Sequence, residues 1–231
     1  MDEPATEGPE AGQLHARPRP LEKTASPWPL PPGLHPLGMG GGRDGRLRVP
    51  PAPGSGPLPL IVMLHGHGGT AERALRRIAP IADRALVMLP ESLGPTWDVL
   101  MEGYGPDVAR LDAALERLLA TWPVDPARLA IAGFSDGASY ALSLALMNGA
   151  LFSHCLAFSP GFAAPVRLEP GTRVFMSHGT EDEVLSIEHC SRRLLPKLQR
   201  AGIPGRYMEF FGGHTVPEEV ARQALDFLLT D

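Results

Sequence analysis

Five consecutive residues, Gly133-Phe134-Ser135-Asp136-Gly137, have the Gly-x-Ser-x-Gly spacing that turns a serine into a nucleophile. They follow the apolar run Leu129 to Ala132 and open a stretch of small residues, Ala138 to Met147, with helical character. The expected local structure is strand, sharp turn, helix. A side chain two residues before or after the serine would strike neighbouring backbone in so tight a turn, and Gly133 and Gly137 remove that conflict. The helix then aims free N–H groups at negative charge developing beside Ser135.

A serine hydroxyl is a weak nucleophile at neutral pH, so a base and an orienting carboxylate must come from elsewhere in the chain. His214, in Gly212-Gly213-His214-Thr215, is the expected base, because a loop between the last strand and the last helix can carry its imidazole over the sheet edge. Asp182, just past the strand that ends at Ser177, is the expected acid, since a short side chain after a glycine turn suits a fixed acceptor. Spacing alone leaves Glu181 open as the acid, with Glu183 near it and His178 and His189 as other candidate bases. Acyl transfer also needs donors for the tetrahedral oxyanion. The expected pair is the backbone N–H of His67, in the loop His65-Gly66-His67-Gly68-Gly69, and that of Asp136. A metal held by His65 and His67 with His178 or His214 is the competing use of that loop, but the second carboxylate-rich motif of a dinuclear hydrolase is missing.

These residues need a scaffold, and the chain supplies strand-like runs alternating with amphipathic stretches. Near-continuous apolar runs at 60–64, 85–89, 129–133, 154–158 and 174–177 suit strands buried on both faces. A shorter strand is expected at 46–49 and a last one at 205–211. Helices are expected at 70–79, 107–121, 135–147, 188–201 and 216–229, the second with Asp107 as N-cap and Trp122-Pro123 as its end. Alternation of this kind requires crossovers, hence an α/β fold with a mostly parallel sheet covered by helices on both faces and functional groups at the strands' carboxyl ends.

The 231 residues carry a net charge of −5 and 43% hydrophobic residues, ordinary for one globular domain and unfavourable for nucleic-acid binding. No apolar run approaches the roughly 20 residues of a membrane span. Two cysteines, Cys155 and Cys190, are too few for a disulfide scaffold or a thiolate zinc site. The acidic start Met1-Asp2-Glu3-Pro4 is unlike a signal peptide, so the expected location is the cytoplasm. Of 26 prolines, 14 fall at or before position 59, and residues 1–32 are expected to be a proline-rich flexible tail ahead of a domain at 33–231.

The motifs Leu64-His65-Gly66-His67-Gly68-Gly69, Gly133-Phe134-Ser135-Asp136-Gly137, Phe158-Ser159-Pro160-Gly161, His178-Gly179-Thr180-Glu181-Asp182 and Gly213-His214 resemble the phospholipase/carboxylesterase branch of the α/β-hydrolases, small serine esterases without a large lid. The resemblance spans about Gly45 to the C-terminus and implies ester or thioester hydrolysis by Ser135, Asp182 and His214, with the residue after His65-Gly66 in the oxyanion hole. One departure stands out: thioesterase members usually carry Gly-Phe-Ser-Gln-Gly where this chain has Asp136. The expected function is therefore cleavage of small-molecule carboxylic esters of short or medium acyl chains. An acyl thioesterase or phospholipase-like hydrolase, and a non-catalytic binding protein of the same fold, are the alternatives, with a lyase or perhydrolase using the same residues behind them. No cofactor motif is read, and no metal is expected. Trp97, Phe134, Phe158 and Val184 are candidate substrate contacts, each equally able to be core. Nothing in the sequence speaks to oligomeric state.

Overall fold

The computed structural model describes residues 7–18, 29–40, 42–51, 56–101 and 103–230. Among these described residues, eight strands form one sheet in the order β1-β2-β4-β3-β5-β6-β7-β8. They are β1 (Gly33–Pro36), β2 (Arg46–Val49), β3 (Leu58–Leu64), β4 (Leu86–Leu89), β5 (Val124–Phe134), β6 (His154–Phe158), β7 (Arg173–Gly179) and β8 (Gly205–Phe210). The two N-terminal strands pair antiparallel, and every pairing from β4 through β8 is parallel. Between them run α1 (Ala71–Arg77), α2 (Pro106–Thr121), α3 (Asp136–Met147), α4 (Ser191–Arg200) and α5 (Glu218–Thr230).

Strand alternation divides the apolar runs between two cores. Leu60, Val62 and Leu64 face a core shared with α2, α3 and α4. Ile61 and Met63 face the other, shared with α1 and α5. Each strand is apolar at consecutive positions because both its faces are covered. The helix α3 is buried from Gly137 to Met147, which explains its small residues: it lies flat on the centre of the sheet. Among the described residues, no helix is long and apolar enough to cross a membrane.

Three expectations need correction. Asp107 does not cap α2; it lies inside the first turn, buried, and accepts hydrogen bonds from the N–H of Leu93 (2.8 Å) and Asp98 (2.9 Å). The capping acceptor is Asp98, whose Oδ2 takes the N–H of Gly105 and of Asp107, both at 2.9 Å. The strand β1 was not foreseen, because Pro36 argues against a ladder; at the sheet's margin a missing donor costs little.

The third correction concerns the N-terminal segment. Residues 7–18 are not a solvated tail: Leu14 and Ala16 are buried, and the N–H of Leu14 reaches Asn148 Oδ1 at 2.9 Å while Asn148 Nδ2 donates to Gly12 O at 2.8 Å. Asp112 Oδ1, on α2, takes the N–H of His15 and Ala16, each at 2.8 Å. Remote side chains thus satisfy a backbone that forms no ladder of its own. Residues 1–6 and 19–28, the rest of the expected tail up to Pro29, lie outside the described residues.

Candidate active site

Parallel pairing places the carboxyl ends of β3, β5, β7 and β8 at one edge of the sheet. Ser135 follows β5 directly and adopts φ 59° and ψ −123°, a strained conformation for a residue with a side chain. The strain is held from both sides. A Cβ at Gly133 would lie 2.6 Å from the Ala138 nitrogen and nearer still to Gly137 O. One at Gly137 would lie 2.5 Å from Leu64 O and closer to His65 O, so the turn can close on β3 only with glycine there. The N–H of Ser135 is tied to Phe158 O at 3.0 Å.

Asp182 and His214 meet at the same edge. His214 Nδ1 stands 2.6 Å from Asp182 Oδ2, and Asp182 Oδ1 accepts from the N–H of Val184 (3.0 Å) and Leu185 (2.8 Å). Burial would push the Asp182 carboxyl up, but the Leu185 N–H and the His214 ring outweigh it and hold the group below the usual carboxylate value. An ionised Asp182 fixes the proton of His214 on Nδ1, leaving Nε2 as an acceptor. Glu181 and Glu183 are exposed, so the structure brings Asp182, not its neighbours, to the histidine. Ser135 and His214 line one cavity of about 250 Å³ with Gly66, His67 and Phe134.

The other histidines sort by environment. His178 is fully buried behind Asp182, its Nε2 2.7 Å from Leu185 O and 3.3 Å from Asp182 Oδ2, its Nδ1 2.7 Å from Ser191 Oγ. Burial depresses its pKa, and its ring braces the acid rather than facing the cavity. His189 is exposed and away from the cavity lining. His65 is buried with its pKa depressed by burial; its Nδ1 is 2.7 Å from Gly66 O and its Nε2 accepts from the N–H of Ser92 at 3.1 Å. Both ring nitrogens being engaged, His65 serves the loop and is not placed as a metal ligand; among the described residues no group of three or more metal-ligating side chains occurs.

That loop presents backbone to the cavity. The N–H groups of Gly68 and Gly69 are used by Pro95 O (2.8 Å) and Gly66 O (2.9 Å), while among the described residues none takes the N–H of His67. The N–H of Asp136 belongs to the unsatisfied first turn of α3. The Asp136 carboxylate turns aside, accepting from Thr96 Oγ1 at 2.8 Å with His67 Nδ1 3.4 Å away.

Two of the four expected substrate contacts are core. Trp97 is 1% exposed, donates Nε1–H to His65 O at 2.9 Å and stacks on Tyr140 with centroids 5.2 Å apart. Phe158 is fully buried, because β6 is covered on both faces. Phe134 and Val184 do line the cavity, Phe134 with its ring centroid 4.5 Å from that of His214. The sequence reading missed Arg43, which donates to Ser92 O (2.6 Å) and Gly69 O (3.0 Å) and so braces the loop, and Arg73 and Arg77, which line the cavity. The available signal was the pair's spacing of four on the helix directly after the glycine loop.

Comparison with known proteins follows the same lines. Residues 114–218 match the family model described as "Putative esterase". The crystal structure of esterase PE8 is similar at 26% identity over 80% of this chain and 96% of that one, TM-score 0.62. The chain has the α/β-hydrolase fold. The chain is similar also to FphF, a fluorophosphonate-binding serine hydrolase of Staphylococcus aureus, at 14% identity over 87% of this chain and 100% of that one, TM-score 0.69. A Bacillus cereus carboxylesterase matches this chain at 19% identity, 74% of this chain and 87% of the other, TM-score 0.59. No curated protein matches by sequence. Together they support a hydrolase of the esterase kind.

Proposed function

We propose that the protein hydrolyses small carboxylic esters of short or medium acyl chains through an acyl-enzyme on Ser135. The observation that carries this reading is a strained serine at the end of β5 sharing a cavity with a histidine whose far nitrogen is held by a buried carboxylate. His214 Nε2 takes the hydroxyl proton as Ser135 Oγ bonds to the carbonyl carbon, and the carbonyl electron pair moves onto oxygen, where the N–H groups of His67 and Asp136 receive it. Asp182 stabilises the imidazolium. Collapse breaks the ester C–O bond, and His214 returns its proton to the departing alcohol. A water then repeats the sequence, giving the acid and free Ser135. A cavity of about 250 Å³ suits compact acyl groups. Two buried free thiols, Cys155 and Cys190, fit work in a reducing compartment, the cytoplasm.

The test is a panel of 4-nitrophenyl esters graded by acyl length, with a thioester included, and a fluorophosphonate probe. Ser135→Ala should lower turnover at least about 10³-fold and abolish labelling. Labelling or turnover that persists in the variant refutes the assignment, and a wild type inert to every ester favours a binding protein.

A further inference from the structure

Along one wall of the cavity, α1 presents Arg73 and Arg77, four residues apart and therefore on one helix face. Neither has a carboxylate within 4 Å among the described residues, unlike Arg43, Arg46, Arg48 and Arg192, each of which is paired. The acid of α1 itself, Glu72, is already engaged by Arg46 at 3.1 Å. The Arg77 guanidinium is held in place: it lies 4.1 Å over the Phe134 ring, and its Nη1 donates to Thr215 Oγ1 at 3.3 Å, beside His214. Partial burial and the neighbouring Arg76 depress its pKa, so the charge is kept there against a cost. Across His214, the adjoining hollow is lined by Glu181, Asp182 and Glu183, with Glu188 paired to Arg192 beside them. The site is thus polarised, cationic beside the nucleophile and anionic on the far side.

We infer that Arg73 and Arg77 form a subsite for an anionic group, so that the preferred substrate of the reaction proposed above is an ester carrying a carboxylate or similar oxyanion. A planar guanidinium fork suits such a group, and the acids across His214 repel it from the opposite side. The inference rests on the esterase reading, and the experiment separates the two.

Two matched pairs of esters, corrected for spontaneous hydrolysis, locate the charge: mono-4-nitrophenyl adipate against 4-nitrophenyl hexanoate for the acyl side, and 4-acetoxybenzoate against its methyl ester for the alcohol side. In at least one pair the wild type should favour the anion by about tenfold or more in kcat/KM. Arg73→Gln with Arg77→Gln should collapse that ratio, mainly through KM, whereas Arg76→Gln, exposed and outside the cavity lining, should leave it standing. A neutral preference in both pairs, or a ratio unmoved by the double variant, overturns the inference while Ser135-dependent turnover keeps the esterase reading intact. Should Ser135→Ala remain active, the esterase reading fails instead. Calorimetry of adipate and of benzoate, neither of which can be hydrolysed, binding to the protein with and without the arginines then decides on the anion subsite alone: binding of either one weakened without them supports it, and binding of both unchanged or undetected refutes it.

Discussion

Replacing Gly137 by alanine tests how tightly the nucleophile turn is clamped against the sheet. The added methyl carbon would stand 2.4 Å from His65 O, so reaching the 3.4 Å of an ordinary contact requires a retreat of about 1.0 Å; within the strand it would stand 2.5 Å from Leu64 O and 2.8 Å from the Leu64 carbonyl carbon. Both atoms are backbone of β3, which is paired on each side, to β4 and to β5, and cannot give way alone. Overpacking of this kind costs about 1 to 3 kcal/mol, and rigid surroundings favour the upper end. Alanine's better helix propensity returns about 1 kcal/mol, leaving a net loss of about 2 kcal/mol. At about 2 to 4 °C per kcal/mol for a chain of this size, the melting temperature should fall by about 4 to 8 °C. If α3 moves instead, Ser135 and the Asp136 N–H move with it, and a displacement of about 1 Å is enough to slow fluorophosphonate labelling about 10²-fold. Gly161→Ala is the control, since its methyl would meet only side-chain atoms at ordinary contact distance, Leu185 at 3.5 Å and Ser139 Oγ at 3.6 Å. A Gly137→Ala protein with both the wild-type melting temperature and the wild-type labelling rate refutes the clamp.

Asp182→Asn should lower kcat on a 4-nitrophenyl ester by several orders of magnitude with the fold retained in circular dichroism, because His214 loses the partner that fixes its tautomer. The same substitution has a signature in stability: the Asp182 pKa is depressed on folding, so its contribution is full above the unfolded value near 3.9 and is lost as pH falls through the lower folded value. The melting-temperature gap between wild type and Asp182→Asn should therefore be widest above about pH 4 and shrink below it, and a gap that widens on acidification contradicts the assignment. Leu14→Ala should cost about 2 kcal/mol or more in urea unfolding, since this side chain is fully buried; a loss under a few tenths would return the segment to the status of a tail. Trp97→Phe should cost about 1 to 3 kcal/mol by leaving His65 O without its buried donor, and its effect on ester selectivity should be small because the indole does not line the cavity.

What the sequence discloses depends on whether a residue's role is local. The strands β3 to β7 are legible because burial on both faces writes an uninterrupted apolar run, and the turn at Ser135 because its two glycines are demanded within five residues. His214 and Asp182 are legible once the turn is recognised, since both must stand beyond strand ends at the same edge. Aromatic type, by contrast, does not say which way a ring faces: Phe134 and Phe158 end neighbouring strands in register, yet one lines the cavity and the other is core. Arg73 and Arg77 look like the solvated face of an amphipathic helix until the loop ahead of it is folded. The docking of residues 7–18 is invisible for the same reason, its acceptors being contributed by Asp112 and Asn148.

That docking also sets a timetable. During synthesis residues 7–18 emerge ahead of their partners: the groups that receive Leu14 and His15 lie 134 and 97 residues further along the chain. At about 5 to 20 residues per second, the segment must wait several seconds on the ribosome before α2 and then α3 exist to receive it. A segment made before the helices that receive it is thus among the last to be seated, and it closes over the back of the very helix whose other end bears Ser135.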